Sequence, residues 1–503
     1  MKNMNRYLFI TVFLTGSAVL ILEIAAVRIL APYYGSSLHV FSSVLTVILA
    51  ALSVGYWYGG KRADKHQSID ELYALIAVSG LLVLILLFIA GTALPASSQY
   101  FSVSTGPLLF SFILFFLPSF LLGIVSPYII KLQSMHTPTT EIGSIVGKTF
   151  FWGTAGSIVG SLASGFFLIP TLGVELTITF VSIILVGLGI VTPLFLDRPI
   201  RKGWFMGILI LVLVFGSCLY LLTQQRNDKF VYHSDGLYSS ITIKDVDMYG
   251  QHARLLNRDT NNSSAIFLDN KELVFDYTQF AKLYTTLTPN ASSMLMLGGG
   301  AYTIPRTIVA SDPDIKIDVV EIEPQLFEIA QEYFDLSDTS RITNYAEDAR
   351  VHLSRTDKKY DFIFSDLFGT NHAAPFHLTT YEYYKLVREH LTEDGVLIIN
   401  YIGKPADIGP SLTGSLTKTL TKVFPNTRSF MTRASQPTER QNIMFVSRKS
   451  ELALVFPESI PARNDRTLIL KDMEMDLVAY SPGNEYLLTD DHAPVDYLMA
   501  KQR

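Results

Sequence analysis

Three carboxylates and a glycine triplet carry the chemical signal in this sequence. Gly298, Gly299 and Gly300 follow the apolar run Met294 to Leu297. Such a run predicts a buried parallel strand, and the glycines let the chain turn tightly and bring its backbone against a ligand. Glu321 stands roughly twenty residues further on, at the end of the next apolar run, where an acid accepts hydrogen bonds from two ribose hydroxyls. Asp348 follows a third strand, and its carboxylate either accepts from an adenine amino group or caps the helix that opens there. Asp366 ends a fourth strand and begins the polar, glycine-containing stretch that runs to His377, a loop over the cleft. A carboxylate in that place can take a proton from an attacking amine and hold its positive charge.

These residues need a sheet that brings strand ends to one edge. Apolar runs at 294–297, 317–321, 341–345, 362–365 and 395–401 alternate with helical patterns at 324–333 and 380–390, behind a helix near 277–286. That alternation predicts a doubly wound α/β sheet, which binds ligands beyond the carboxyl ends of its strands. Shorter alternating segments at 230–233, 239–246, 254–257 and 265–268, separated by polar turns, predict a small antiparallel sheet ahead of it.

Composition says that a second object precedes both. The 503 residues are 49% hydrophobic with a mean hydropathy of +0.31, too apolar for an ordinary soluble chain of this size. Of 40 Lys+Arg and 45 Asp+Glu, 12 and 7 lie up to Arg226, so that part carries +5 and the remainder −10. About seven stretches reach the roughly 20 residues that a membrane crossing needs: 8–30, 40–60, 72–94, 108–130, 145–168, 176–196 and 204–222. The expected organisation is a polytopic α-helical membrane domain (1–225), a small β-strand domain (226–290) and an α/β domain (291–503), in a multi-pass protein of the cell membrane.

The face of the soluble half is contested by two signals. Basic residues between Lys61 and Lys65 and between Arg198 and Lys202 put their loops in the cytoplasm, yet seven crossings from a cytoplasmic N-terminus put everything after residue 222 outside. A re-entrant fifth segment, which carries Lys148, would return the soluble half to the inside and move Arg198 to Lys202 outward. Glu23 and Arg28 are charges within the first segment; about 140° apart on a helix, they are poor partners for each other. The Gly143/Gly147 and Gly156/Gly160 spacings suit close helix packing.

Other residues invite blander readings. The one cysteine, Cys218, lies in an apolar run, which rules out an intrachain disulfide and a cysteine metal cluster. His372 and His377 lack the cysteines or paired carboxylates of a metal site, and no metal is expected. Asp361 suits a turn, whereas Asp490 and Asp491 suit either a solvated turn or a closure of the cleft. The acidic soluble half has no basic, aromatic-interleaved patch for nucleic acid.

With these residues in place, the soluble half resembles the spermidine synthase family of polyamine aminopropyltransferases, and the chain resembles its membrane-fused bacterial type. The carrying segments are Leu297 to Gly300, Val320 to Pro324, Glu347 to Ala349, Tyr360 to Asp366 and Thr380 to Val396. In the membrane half they are Glu23, Arg28 to Pro32, Gly55 to Asp64 and Gly165 to Pro170. The resemblance implies a Rossmann-like, methyltransferase-type catalytic domain. It further implies aminopropyl transfer from decarboxylated S-adenosylmethionine, as co-substrate, to putrescine or another amine. Asp366 would be the general base; Gly298, Gly299, Gly300, Glu321, Asp348 and Ala349 would bind the adenosyl ligand; and Asn262, Tyr277, Gln279 and Tyr302 would bind substrate. The expected partners are a small amine and the lipid bilayer, with a homodimer as an open expectation.

The sequence also departs from the family. Ala301 and Tyr302 follow the glycine turn where an aspartate normally meets the aminopropyl amine, and Gly369 stands where a second loop aspartate holds the acceptor. Tyr277, Thr278 and Gln279 replace a tyrosine-histidine pattern. The departures keep two alternatives open: a methyl- or other group transferase using ordinary S-adenosylmethionine, and a membrane transporter or sensor that binds nucleosides or polyamines without turnover.

Overall fold

A computed structural model describes residues 2–97, 100–102, 104–135, 141–195, 213, 216, 230–368, 374–405, 410–463, 466–475 and 484–501. The chain divides into two compact units, Met1–Lys229 and Phe230–Arg503.

The first unit is helical: α1 (Lys2–Tyr34), α2 (Leu38–Lys65), α3 (Ile69–Ser97), α4 (Gly106–Ser134), α5 (Ile142–Ala163) and α6 (Ile169–Phe195). Among the described residues, five helical stretches are long and apolar enough to cross a membrane, where about seven were expected from sequence. The last of the five, Ile142–Ile190, has 49 residues and joins the two expected crossings at 145–168 and 176–196. Its helices are divided at Gly173, whose φ of 77° and ψ of 174° are not helical. Of the expected crossing at 204–222, residues 213 and 216 alone are described, and the basic loop Arg198 to Lys202 lies outside the described residues.

Small residues bring α1 against α5. A Cβ on Gly156 would sit 2.0 Å from the Phe13 carbonyl oxygen, and one on Gly160 would sit 2.5 Å from that of Ser17. The Ser17 hydroxyl donates to the Gly156 carbonyl at 2.7 Å, so the contact is polar as well as close. The Gly143/Gly147 pair does not share this role: nothing lies within 4 Å of a Cβ at either.

In the second unit, strands β1 (Tyr232–Asp235), β2 (Ser240–Met248), β3 (Gln251–Arg258) and β4 (Asn261–Phe267) form the small antiparallel sheet. An eight-stranded sheet follows, built from β5 (Ser293–Leu297), β6 (Lys316–Val320), β7 (Ile342–Tyr345), β8 (Tyr360–Ser365), β9 (Leu391–Gly403), β10 (Thr427–Met431), β11 (Gln441–Arg448) and the later β14 (Glu474–Met475). Strands β12 (Ser459–Pro461) and β13 (Thr467–Ile469) pair with each other. The order of the large sheet is β14-β10-β11-β9-β8-β5-β6-β7. Strands β7, β6, β5, β8 and β9 are parallel, whereas β11 and β10 run antiparallel; the sequence reading did not include these two.

Helices α7 (Thr303–Ser311), α8 (Gln325–Tyr333), α9 (Ala349–Arg355), α10 (Tyr381–Glu389), α11 (Leu412–Val423) and α12 (Val495–Lys501) accompany the sheet. Buried side chains of β5 show why it is central: Met294 and Met296 join one hydrophobic cluster, while Leu295 and Leu297 join the other. A strand buried on both faces reads as a continuous apolar run. From β5 the chain winds to β6 on one side and later to β8 on the other. The carboxyl ends of β5 and β8 therefore flank the switch point where such sheets hold ligands.

Candidate active site

The turn after β5 is built around Glu321, which is 3% exposed. Its Oε2 accepts from the amides of Gly299 at 2.9 Å and Gly300 at 3.0 Å. Its Oε1 accepts from the amide of Glu323 at 3.0 Å and faces the Arg258 guanidinium at 3.5 Å. A carboxylate has about four lone-pair sites, so Glu321 braces the turn with two of them, takes the Glu323 amide on a third, and meets the long Arg258 contact with the fourth.

Gly298 is required on two counts. Its φ is +89°, and a Cβ would lie 2.3 Å from the Asp366 carbonyl oxygen. The amide of Asp366 in turn donates to the Leu297 carbonyl at 2.7 Å. The two strand ends are thus locked together, and Asp366 stands directly beside the glycine turn.

Asp366 is half-buried and held at both oxygens. Tyr277 donates its hydroxyl to Oδ2 at 3.0 Å, and Asn400 of β9 donates its amide to Oδ1 at 2.8 Å. Asn400 is oriented by Asn442 of β11, whose Nδ2 donates to its Oδ1 at 2.9 Å. Burial pushes the Asp366 carboxyl up to about 6; the negative charge of Glu321 adds to the rise, while the bonds from Asn400 and Tyr277 and the charge of Arg258 hold it back. Burial and the neighbouring Asp366 charge push the Tyr277 phenol well above its ordinary range, so it remains the donor.

Asp348 is the N-cap of α9. Its Oδ1 accepts from the amides of Arg350 and Val351 at 2.9 and 3.0 Å, and its Oδ2 meets His377 Nε2 at 3.1 Å. The bond from His377 holds its carboxyl below the usual range against the opposing effect of burial. Ala349, just inside the helix, is buried. Arg350 from the same turn forms a two-toothed pair with Asp490, whose Oδ1 lies 2.7 Å from Nη1 and also accepts from Thr380 at 2.8 Å. Asp490, exposed in its turn, thus ties that turn to Arg350 and Thr380, while Asp361 satisfies a turn by accepting from Ser292 and Ser293.

The expected substrate residues separate into three situations. Tyr277 faces Asp366, as above. Asn262 is exposed on β4 and accepts from Asn257 at 2.9 Å. Tyr302 and Gln279, both expected to meet substrate, are buried. Tyr302 is fully buried, stacks edge-on against Phe327, and donates to Asn344 at 2.6 Å. Its ring supports Gly299 from beneath, where a Cβ would lie 2.9 Å away. Gln279 is 3% exposed and donates to the Leu273 carbonyl at 3.2 Å. Gly369 and His372 lie outside the described residues, and those residues contain no cluster of three potential metal ligands.

Several supporting residues were not foreseen. Asn400 and Asn442 interrupt apolar strand patterns, which is a readable signal for a buried polar contact. Glu323 accepts from the amides of Leu237 and Tyr238 and so ties the small sheet to the strand end that bears Glu321. Ser264 of β4 accepts from the Ala301 amide at 3.1 Å, closing the glycine turn from the same side.

Residues 278–456 match the family described as the Spermine/spermidine synthase domain. The chain carries a domain of the spermine/spermidine synthase family. It is 26% identical over 305 residues to a "Probable polyamine aminopropyl transferase" of Bifidobacterium longum, which covers 57% of this chain and 66% of the relative. It is 32% identical over 178 residues to an "N-terminal histidine N-methyltransferase" of Emericella nidulans, covering 34% of this chain and 30% of the relative. The chain thus spans less than two thirds of the length of either curated relative. A solved spermidine synthase "in Complex with Transition State Analogue AdoDATO" aligns with a TM-score of 0.37 and 20% identity, over 55% of this chain and 85% of that one.

Proposed function

We propose that the soluble half transfers an aminopropyl group from decarboxylated S-adenosylmethionine to putrescine or another amine. The observation that carries this reading is the Asp366 carboxylate, set beside the glycine turn, held by two neutral donors and raised to about 6. Such a group is charged near neutrality yet basic enough to take a proton. The amine lone pair attacks the aminopropyl carbon, the C–N bond forms, and the C–S bond breaks. Its electron pair stays on sulfur, giving neutral methylthioadenosine, and the proton lost by nitrogen goes to Asp366. The sulfonium is already a good leaving group, so alignment and the base supply the catalysis.

Glu321 would hold the ribose by exchanging its long contact with Arg258 for a hydroxyl, and the edge at Asp348 and Ala349 would meet adenine. A second reading, methyl transfer from S-adenosylmethionine, is favoured by Ala301, which leaves the turn without a carboxylate for the aminopropyl amine. Incubating the protein with each adenosyl donor and an amine panel, then identifying products by mass, tests both. Methylthioadenosine with an aminopropylated amine supports the first reading; S-adenosylhomocysteine with a methylated acceptor replaces it.

A further inference from the structure

Arg258 ends β3 and pairs across the hairpin with Asn261 of β4, the strand whose Ser264 closes the glycine turn. Its side chain is 20% exposed and under-used. Nε donates to the Ser239 hydroxyl at 3.2 Å and Nη1 reaches Glu321 Oε1 at 3.5 Å, while among the described residues Nη2 has no bond. The adjacent acid, Asp259, accepts from the Ser240 amide at 3.0 Å. A guanidinium offers five donors in a planar fork that matches a carboxylate. Two bonds, one of them long, leave most of that fork unused.

Glu321 does not need this cation. Three backbone amides already hold its two oxygens at 2.9 to 3.0 Å, and such bonds stabilise the charged form of a carboxylate. The field of the guanidinium also extends to Asp366, whose carboxyl it helps to hold down. Arg258 therefore acts on both acids and is tightly bound to neither. When Glu321 takes a ribose hydroxyl in place of its long contact, Nη1 is released beside Nη2. A half-buried guanidinium left without an anion is costly. An incoming carboxylate removes that cost with two parallel N–H···O bonds.

The charges around the turn agree with this. Ala301 is buried and uncharged where the family resemblance leads to an aspartate, and a guanidinium stands beside Glu321. An unpaired cation repels an ammonium group and attracts a carboxylate.

We propose that Arg258 is a specificity-determining residue that binds a carboxylate of the substrate, supplied by the donor or by the acceptor. The inference rests on the proposed reading of Glu321 and Asp366 as two ends of one transfer site, and matched pairs of ligands separate the two.

Full-length protein in detergent micelles is titrated calorimetrically with two pairs whose members differ by one α-carboxylate. The first pair is S-adenosylmethionine and its decarboxylated form; the second, with methylthioadenosine saturating, is 2,5-diaminopentanoate and 1,4-diaminobutane. In one pair wild type is expected to bind the carboxylated member about ten- to a hundredfold more tightly, the worth of a charge-assisted contact. A preference in the first pair puts the carboxylate on the donor, and one in the second puts it on the acceptor. Arg258→Met removes the charge, keeps most of the stem, and is expected to erase the preference. Each result is a ratio within one protein, so a general loss of affinity in the variant does not imitate it. Equal affinities within both pairs in wild type overturn the inference without recourse to any variant, and leave the transfer reading standing. A preference that survives in Arg258→Met overturns it as well. If the preference depends on Arg258 while no donor and amine together yield methylthioadenosine, the transfer reading fails and the carboxylate site stands.

Discussion

The Tyr277 hydroxyl donates to Asp366 Oδ2 at 3.0 Å while Asn400 holds Oδ1 at 2.8 Å, so the carboxylate is fixed by two donors that carry no charge. Neutral donors orient the group without making it too weak a base. Asp366→Asn keeps the shape and removes the proton acceptor. Turnover is expected to fall by about 10²- to 10⁴-fold, with methylthioadenosine affinity within a few fold of wild type. Undiminished turnover would reject Asp366 as the base.

The same pair sets the pH dependence. Asp366 acts deprotonated, and its carboxyl lies at about 6. After correction for ionisation of the free amine, kcat/KM is expected to fall tenfold per unit below that pH. Tyr277→Phe removes a bond that stabilises the charged form, so the limb moves upward. A limb that stays put on this substitution shows that the Tyr277 bond does not govern the titrating group.

Gly298 and Gly250 offer a matched test of why the turn needs glycine. Both have positive φ, +89° and +81°, but a Cβ on Gly298 meets the Asp366 carbonyl at 2.3 Å while one on Gly250 meets nothing within 4 Å. Gly250→Ala carries backbone strain alone, about 1 kcal/mol. Gly298→Ala adds a collision with backbone and is expected to lower the melting temperature further and weaken methylthioadenosine binding. Equal melting temperatures in the two variants would remove the steric argument.

The readable parts of this site are those that one segment carries by itself. Gly298–Gly300, Glu321 and Asp366 each end an apolar run, so local pattern places them at strand ends, and parallel winding brings the ends together. The contacts that tune them are not local. Tyr277 is 89 residues from Asp366, and Asn400 is 34 residues away, and no periodicity links such positions. The position of Tyr302 is not legible for another reason: it takes a left-handed conformation, φ 55°, uncommon for a residue with a side chain, and its ring lies against Gly299. In the membrane half, Gly143/Gly147 and Gly156/Gly160 share one spacing, yet only the latter pair faces a neighbouring helix, because spacing marks a stripe without saying what it meets.

Arg463 extends the control of Asp366 beyond its direct contacts. It is 6% exposed, pairs with Asp276, reaches the Val274 carbonyl at 3.4 Å, and lies 3.6 Å from the centre of the Tyr249 ring. Asp276 opens the short 3-10 segment Asp276–Leu283, whose second residue is Tyr277. The pair therefore anchors the turn from which the phenol reaches Asp366. Among the described residues, Arg463→Met leaves the Asp276 charge with the more distant cation Arg466, at 3.9 Å. A loss of about 3 kcal/mol is expected, at the lower end for a broken buried pair, and denaturant melts measure it. If Arg463 acts through Tyr277, the variant also moves the acidic limb of kcat/KM upward at a temperature where it is folded, in the direction of Tyr277→Phe. The double variant Tyr277→Phe with Arg463→Met then shifts the limb no further than Tyr277→Phe alone. Additive shifts would mean that Arg463 reaches Asp366 by a route other than the phenol.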